Sequence, residues 1–335
     1  MPGDFCVKMS YMNKATKRSH YLPRTYLKHF LLDDVLFMYM KGKTFFNNNK
    51  TPDDRILEVR GEAGLNTVGV KNNLYNPGIE GVSTDDLEEI FRGYGEDYYN
   101  DMINSINALP DYAPIPEEIK SKISYFAAGL RVRTPQFKNE IEETDAAFRK
   151  HFSARRFEMI SAEEIIKLNK TEFNNEITIK EAREIKELIV NQKYDLKYPN
   201  GYFIKWALML INRHADIFQN MSATIVRSNG RYFMTSDNPV VFFVPPERVN
   251  FYNQPKALVS PYTELFLPLS RNIAVTLNWR KVDEKVIPAK REVVDIFNEN
   301  ISLHSFSYIF TPIQMKVLNK FINEYIPYPF KIKVN

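Results

Sequence analysis

The chain of 335 residues contains a single cysteine, Cys6. No intramolecular disulfide can form, which excludes the small secreted domains that depend on disulfides. An N-terminal secretory signal is also missing, because the opening residues MPGDFCVKMSYMNKATKRSH are polar and basic and lack an apolar core. Both absences predict a cytoplasmic protein.

Long apolar runs are absent as well. The longest candidate, VVFFVPP, has the length of a strand and ends in prolines, whereas a transmembrane helix needs about 20 apolar residues. We therefore predict no membrane partner. The sequence also lacks the HExxH, P-loop, Rossmann glycine and zinc-ligand patterns, so the common catalytic and cofactor signatures do not assign a function.

The composition is that of a globular protein with a sizeable core, at 44% hydrophobic and 26% charged residues, with 24 Phe and 19 Tyr. The net charge is +4, from 45 basic and 41 acidic residues. This small excess is better explained by an ordinary solvated surface than by a nucleic-acid surface. It permits a nucleic-acid partner without requiring one, and it leaves the oligomeric state open.

The order of the hydrophobic patterns predicts an α+β fold. Helical patterns fill most of the first two thirds of the chain, apart from a short hairpin predicted in DDVLFMYMKGKTFF with Lys41-Gly42 near its turn. Residues 47–81 are expected to be mostly loop, and strand patterns dominate after about residue 220. Asn229-Gly230 between two apolar runs predicts a β-hairpin, and residues 264–278 predict further strands. We expect a helical body with a small antiparallel sheet contributed mainly by the C-terminal third.

The same patterns predict the domain organisation. Residues 1–18 are polar and basic, and we expect them to be loosely ordered. Residues 19–335 are expected to form a single domain, with a possible sub-boundary near residue 220.

Several separated motifs resemble one known family. His20-Tyr21-x-Pro23-x-x-Tyr26-Leu27-x-x-Phe30 resembles the HYVPxFYLxxF signature of DUF4238, a family of uncharacterised, mostly bacterial proteins. FMTSDNPVV at 233–241 resembles its FITSDNPVV element, and RTP at 133–135 its RTP element. The resemblance further implies weaker site positions, namely Glu96, Ser236, Ser270 in FLPLS, and Asn298 before YIF. It covers roughly residues 19–311 and supplies no reaction.

His20 precedes the helix that we predict from Pro23. A helix N-terminus disfavours a protonated imidazole, so His20 can remain neutral and serve as a base or a metal ligand. The alternative is that His20 caps or packs against the helix.

Asp237 and Asn238 lie between two predicted strands in the motif TSDNP. A carboxylate followed by an amide suits a clamp for a metal or a substrate, but it is equally suited to an Asx turn ahead of Pro239. Arg133 follows an apolar helical stretch, where a buried guanidinium needs an anionic partner. That partner is either a substrate phosphate or a carboxylate of the chain, Glu96 or Asp237.

These residues together predict one site. We expect His20, Arg133, Asp237 and Asn238 to converge on a pocket, with Glu96, Ser236, Ser270 and Asn298 around them. The leading hypothesis is a metal-dependent phosphodiester hydrolase, most plausibly a nuclease. Asp237 and Glu96 would hold Mg²⁺ or Mn²⁺, His20 would act as the general base, and Arg133 would stabilise charge on the phosphate.

The alternative hypothesis is a non-catalytic protein that binds nucleic acid or another protein. In that case the same polar residues form a buried structural network that joins the N-terminal helix to the sheet.

Overall fold

A computed structural model describes residues 18–41, 56–76, 84–244, 258–315 and Leu318. The N-terminal segment that we predicted to be loosely ordered therefore lies outside the described residues, apart from Arg18. Contacts divide the chain into two units. The first comprises residues 1–135 and 200–328, and the second comprises residues 136–199 and 329–335. The boundary predicted near residue 220 stays a prediction.

Short helices and strands are mixed up to residue 72, a run of helices follows from residue 84 to 220, and a run of strands follows from residue 222 to 289. The helices are α1 (Arg24–Lys28), α2 (Gly61–Leu65), α3 (Thr84–Phe91), a π-helical turn (Arg92–Glu96), α4 (Tyr99–Ala108), α5 (Glu117–Val132), α6 (Pro135–Met159), α7 (Ala162–Phe173), α8 (Ile179–Val190), α9 (Asn200–Asn220) and α10 (Arg291–His304). The strands are β1 (Arg18–His20), β2 (Val35–Met40), β3 (Ile56–Arg60), β4 (Val70–Asn72), β5 (Ser222–Ser228), β6 (Thr235–Ser236), β7 (Val241–Phe243), β8 (Glu264–Pro268), β9 (Ile273–Asn278), β10 (Lys285–Ala289) and β11 (Tyr308–Thr311).

The strands that the structure describes form three sheets. A five-stranded sheet runs β10-β5-β9-β8-β7, a four-stranded sheet runs β3-β2-β11-β6, and β1 pairs with β4. All neighbours are antiparallel except β10 and β5, which are parallel with Ile287 opposite Val226. The mixed α+β class predicted from the sequence is confirmed.

The expected location of the strands needs correction. We placed the sheet mainly in the C-terminal third, but β1 to β4 all precede residue 73, and two of them belong to the four-stranded sheet. The stretch expected to be mostly loop contains β3, α2 and β4. These strands are short, and their exposed residues obscure the alternation on which strand prediction depends.

The predicted hairpin at Asn229-Gly230 is wrong. Gly230 does adopt a left-handed φ of 73°, but β5 and β6 join different sheets. The amide of Asn298 accepts a hydrogen bond from the backbone of Met234 and donates one to the carbonyl of Tyr232. These backbone groups are therefore held by a side chain, and β5 pairs with β9 and β10 instead.

Tyrosine hydroxyls tie the helical part of the first unit to its strands. Tyr26 on α1 is fully buried, and its hydroxyl lies 2.5 Å from the Thr235 hydroxyl and donates to the Pro268 carbonyl at 2.9 Å. Tyr99 on α4 donates in the same way to the carbonyl of Leu269. Both rings pack against Phe126 of α5, with centroids 5.7 and 4.5 Å away.

A second part of the core joins α10 to both larger sheets. The Phe297 ring of α10 stacks on Phe266 of β8, with centroids 4.0 Å apart. The same apolar cluster includes Tyr39 of β2 and Ile309 of β11. The position of α10 is thus fixed by apolar contacts with strands from both ends of the chain.

The second unit contains the helices α7 and α8, which pack against each other, and α6 from Gln136 onward. Ser161 and Thr178 each open a helix with a capping box, completed by Glu164 and Glu181. Such caps bond the free N–H groups of the first helical turn. Among the described residues, none of the helices combines the length and the apolar character needed to cross a membrane.

The helical segment from Thr84 is interrupted by the π-helical turn, which contains Gly93 and Gly95. Gly95 there has a φ of 151°, and a Cβ added to it would lie 2.4 Å from the ring of Phe126. Gly93, two residues earlier, has nothing within 4 Å of its added Cβ. Of these two glycines, only Gly95 is therefore required by both backbone conformation and packing.

Alanine substitution of Gly95 and of Gly93 tests whether a glycine is required at the first position and not at the second. We expect Gly95→Ala to lower the free energy of unfolding by about 2–4 kcal/mol, because the methyl group meets Phe126 and the backbone is strained. Gly93→Ala serves as the control, with unchanged or slightly higher stability. Urea denaturation of both variants measures the difference, and equal effects would contradict it.

Candidate functional site

Asp237 lies in a backbone cradle just after β6. Its side-chain oxygens accept hydrogen bonds from the backbone amides of Phe306 at 2.8 Å and Ser307 at 2.6 Å, and its own amide donates to the Tyr308 carbonyl. The residue is 1% exposed. Burial raises the pKa of Asp237 to about 6, although these backbone groups and the charge of Lys41 act in the opposite direction. The carboxylate thus fixes the turn that joins α10 to β11.

Lys41 holds the same turn from the other side. Its ammonium donates to the carbonyls of Ser302 at 3.1 Å and Ser305 at 3.0 Å, at the C-terminal end of α10. A helix C-terminus carries partial negative charge, which favours a cation there. Burial lowers the pKa of Lys41, and nearby Asp237 raises it. The two charges compensate each other around one helix end.

Amide side chains extend this arrangement. Asn238 donates through its side-chain nitrogen to the His304 carbonyl at 3.0 Å, and its backbone amide donates to the Ser236 hydroxyl at 3.2 Å. Asn298, from within α10, bonds the backbone on both sides of Phe233. The polar groups of the TSDNP motif are therefore bonded mainly to the backbone of the chain itself. We call Lys41, Ser236, Asp237, Asn238 and Asn298 the α10 clamp.

Arg133 forms a second cluster where α5 ends. Its guanidinium donates to the Glu96 carboxylate at 2.7 Å and to the His20 carbonyl at 2.9 Å, and the Tyr75 hydroxyl donates to the Arg133 carbonyl at 3.0 Å. The Phe91 ring lies 5.7 Å from the guanidinium carbon. Burial acts to lower the pKa of Arg133, but Tyr75 and Glu96 raise it above its ordinary value, so the guanidinium stays charged.

Tyr21 is electrostatically coupled to both groups of residues. It directly follows His20, and it is 3% exposed. Burial raises the pKa of the Tyr21 phenol well above its ordinary value, and the neighbouring Asp237, Tyr308 and Tyr75 raise it further. Tyr21 thus interacts with the carboxylate of the clamp and also with a tyrosine of the Arg133 cluster.

The structure therefore divides the predicted site residues into two groups. His20, Glu96 and Arg133 form one, whereas Asp237 and Asn238 belong to the α10 clamp. Ser270 belongs to neither, because its hydroxyl accepts from the amides of Asn272 and Ile273 in the turn between β8 and β9. That these residues share one pocket stays a prediction.

The sequence analysis did not propose Lys41, Tyr21 or Tyr75 as residues of the site. Lys41 could have been found, since a single lysine directly follows the apolar strand pattern LFMYM. A charge in that position needs a buried partner. Tyr75 offered no such signal, because nothing nearby in the sequence marks its contact with Arg133.

The metal-binding expectation concerned Asp237 and Glu96. In the structure the oxygens of Asp237 accept backbone hydrogen bonds, and Glu96 pairs with Arg133 through one oxygen. Within the described ranges, no group of three or more His, Cys, Asp or Glu side chains is placed to hold a metal ion.

Comparison with known proteins identifies the family. The family model described as "Protein of unknown function (DUF4238)" matches residues 18–313. The chain belongs to the DUF4238 family. No curated protein and no solved structure matches the chain. The DUF4238 match includes both the Arg133 cluster and the α10 clamp.

Lys41 offers a test of the clamp in this DUF4238 protein. We expect Lys41→Met to lower the free energy of unfolding by about 2–4 kcal/mol, because it leaves buried carbonyls unbonded and removes the cation near Asp237. Lys28→Met is the control, since the Lys28–Glu62 pair is exposed at 56% and 71%. That change should cost less than about 1 kcal/mol. Equal losses in urea denaturation would contradict a buried role for Lys41.

The raised pKa of Asp237 should also make the free energy of unfolding depend on pH. Its pKa is about 6 in the folded chain, compared with about 4 for a solvated aspartate. The folded state therefore binds more protons between these pH values, and the free energy of unfolding falls as pH rises from 4 to 6. Asp237→Asn removes this titration.

The two proteins are compared by urea denaturation across that pH range. We expect the stability of the parent relative to Asp237→Asn to decline by roughly 2–3 kcal/mol from pH 4 to pH 6 and then level off. A constant difference would show that the folded-state pKa is not raised.

Proposed function

We propose that the chain is a non-catalytic binding protein in which the polar signature residues hold the fold together. The observation that carries the proposal is the engagement of both carboxylate oxygens of Asp237, each of which accepts a hydrogen bond from a backbone amide, in a residue that is 1% exposed. A carboxylate that acts on a substrate or metal needs oxygens free to reach it. Here both oxygens are already bonded to the turn that follows α10.

The other signature residues support the same proposal. Asn238 and Asn298 bond to backbone groups, and Arg133 is bonded to Glu96 and the His20 carbonyl. A buried guanidinium that already bonds a carboxylate and a backbone carbonyl has less capacity left for a substrate phosphate. The clamp side chains connect α10, β2, β6 and β11, and Arg133 connects α5 with β1. These structural contacts explain the presence of the polar residues without a reaction.

A phosphodiester hydrolase is the second candidate. The observation that favours it is the pair formed by Arg133 and Glu96, since the Glu96 side chain is 25% exposed and the pair lies beside His20. In this reading Glu96 and Asp237 would hold Mg²⁺ or Mn²⁺, His20 would be the general base, and Arg133 would bind the phosphate. Asp237 would then have to exchange its amide hydrogen bonds for the metal.

Stability and cleavage assays on the same variants decide between the two candidates. We expect the parent protein to cleave neither DNA nor RNA with Mg²⁺ or Mn²⁺. Asp237→Ala should lose about 2–4 kcal/mol of stability, because two buried amides lose their acceptor. Asp283→Ala is the control, since that side chain is 89% exposed, and it should stay within about 0.5 kcal/mol of the parent.

A different set of results would establish the second candidate, the hydrolase. Cleavage by the parent that is abolished by both His20→Ala and Glu96→Gln, with the melting temperatures of these variants preserved, would establish the hydrolase. The proposed non-catalytic function would then be wrong.

A further inference from the structure

One face of α6 exposes a strip of apolar side chains. Phe148, Phe152 and Met159 are 52%, 68% and 84% exposed. At 3.6 residues per turn these positions lie within a narrow sector of the helix surface. The strip lies within the second unit and outside both clusters of signature residues. Exposed apolar patches of this kind mark interaction surfaces more often than isolated exposed side chains do.

The two phenylalanines form a pair of flat surfaces. Their rings are nearly parallel, at an interplanar angle of 16°, with centroids 6.5 Å apart. Exposed aromatic rings of this kind provide surfaces on which nucleic-acid bases stack, with little dependence on sequence because every base has a π-face. The strip therefore offers two stacking positions on a single rigid helix.

Positive charge borders the strip on both sides. Residues 146–157, AAFRKHFSARRF, contain Arg149, Lys150, Arg155 and Arg156 and no acidic residue. The helical period places Arg155 on one side of the strip, and Arg149 and Arg156 on the other. Arg156 forms no ion pair with any carboxylate in the part of the chain that the structure describes. A polymeric ligand that carries both flat π-faces and regularly spaced negative charges would complement these rings and arginines.

The existing ion pairs of the other arginines do not oppose such a ligand. Arg155 pairs with Glu158 at 3.2 Å, but the two side chains are 65% and 44% exposed. Arg149 pairs with Asp145 while 59% exposed. Exposed pairs contribute little free energy, so a phosphate can replace the carboxylate at small cost.

We propose that this α6 face binds single-stranded nucleic acid, with bases stacked on Phe148 and Phe152 and phosphates held by Arg155 and Arg156. The inference rests on the proposed binding function and names its partner. A second copy of the chain fits less well, because a two-fold contact through the strip would bring the same arginines opposite one another. Base pairing in a duplex hides the faces that stack, so single strands are the preferred ligand.

Fluorescence anisotropy with the full-length protein tests the proposal. The probe is a labelled oligothymidylate of about 16 nucleotides, with a duplex of the same length for comparison. We expect the parent to bind the single strand more tightly than the duplex. Phe148→Ala/Phe152→Ala should weaken binding by about tenfold or more.

Charge reversal tests the phosphate contacts. Arg155→Glu/Arg156→Glu should weaken binding and reduce the slope of log K against log salt by about 1.4, as expected for two lost phosphate contacts with a single strand. The matched controls are Lys167→Glu/Arg183→Glu, which makes the same change in net charge on α7 and α8, and Phe173→Ala, which removes a ring that is 76% exposed. All replaced side chains are exposed or at the surface, so circular dichroism should show folded variants.

Three outcomes would overturn the proposal. They are no binding by the parent at low salt, equal losses in the α6 variants and the controls, or a concentration-dependent dimer that Phe148→Ala/Phe152→Ala abolishes. Each leaves the cleavage and stability results for Asp237, His20 and Glu96 unaffected. Conversely, cleavage by the parent would refute the non-catalytic function even if α6 binds single strands.

Discussion

The compensation of two buried charges at the end of α10 is the constraint on which the first unit depends. Lys41 bonds the last carbonyls of the helix, and Asp237 bonds the amides of the turn that follows. Either charge alone would be expensive to bury, since an unpaired ion in a protein interior costs several kcal/mol. Together they fix where α10 stops and where β11 begins. That point sets the register of β11 against β2 and β6.

This arrangement changes how the DUF4238 signature is understood. Polar residues far apart in a sequence are readily interpreted as catalytic, because catalysis needs acids, bases and cations. Folding needs the same residue types wherever a loop turns inside the protein and its backbone groups must be bonded. In this chain the carboxylate, the amides and the lysine of the clamp meet that second need. The Glu96 side chain is more exposed than that of its partner Arg133, at 25% compared with 5%.

The sequence predicted local features more reliably than the pairing of distant ones. The helix predicted from Pro23 is such a local feature, and Pro23 is the N-cap of α1. The hairpin at Asn229-Gly230 failed because Asn298, far along the chain, takes the backbone groups that a hairpin would use. The sequence left a substrate phosphate, Glu96 and Asp237 open as partners of Arg133, and only the folded chain shows the pair with Glu96. The position of Lys41 after an apolar strand was a usable signal, but its partners could not be predicted because they are backbone carbonyls, which every residue has.

The position of β11 has a consequence for how the chain folds during synthesis. In the four-stranded sheet it lies between β2 and β6, with Phe310 opposite Met38 and Thr235. Phe310 and Met38 are separated by most of the chain, so bringing them together carries a high loop-closure cost and slows folding. On the ribosome, β2 and β3 emerge early, and the edge of β2 stays unpaired until nearly the whole chain has been made. Such open edges pair readily with other chains, so the nascent protein passes through a long interval in which aggregation competes with completion of the sheet.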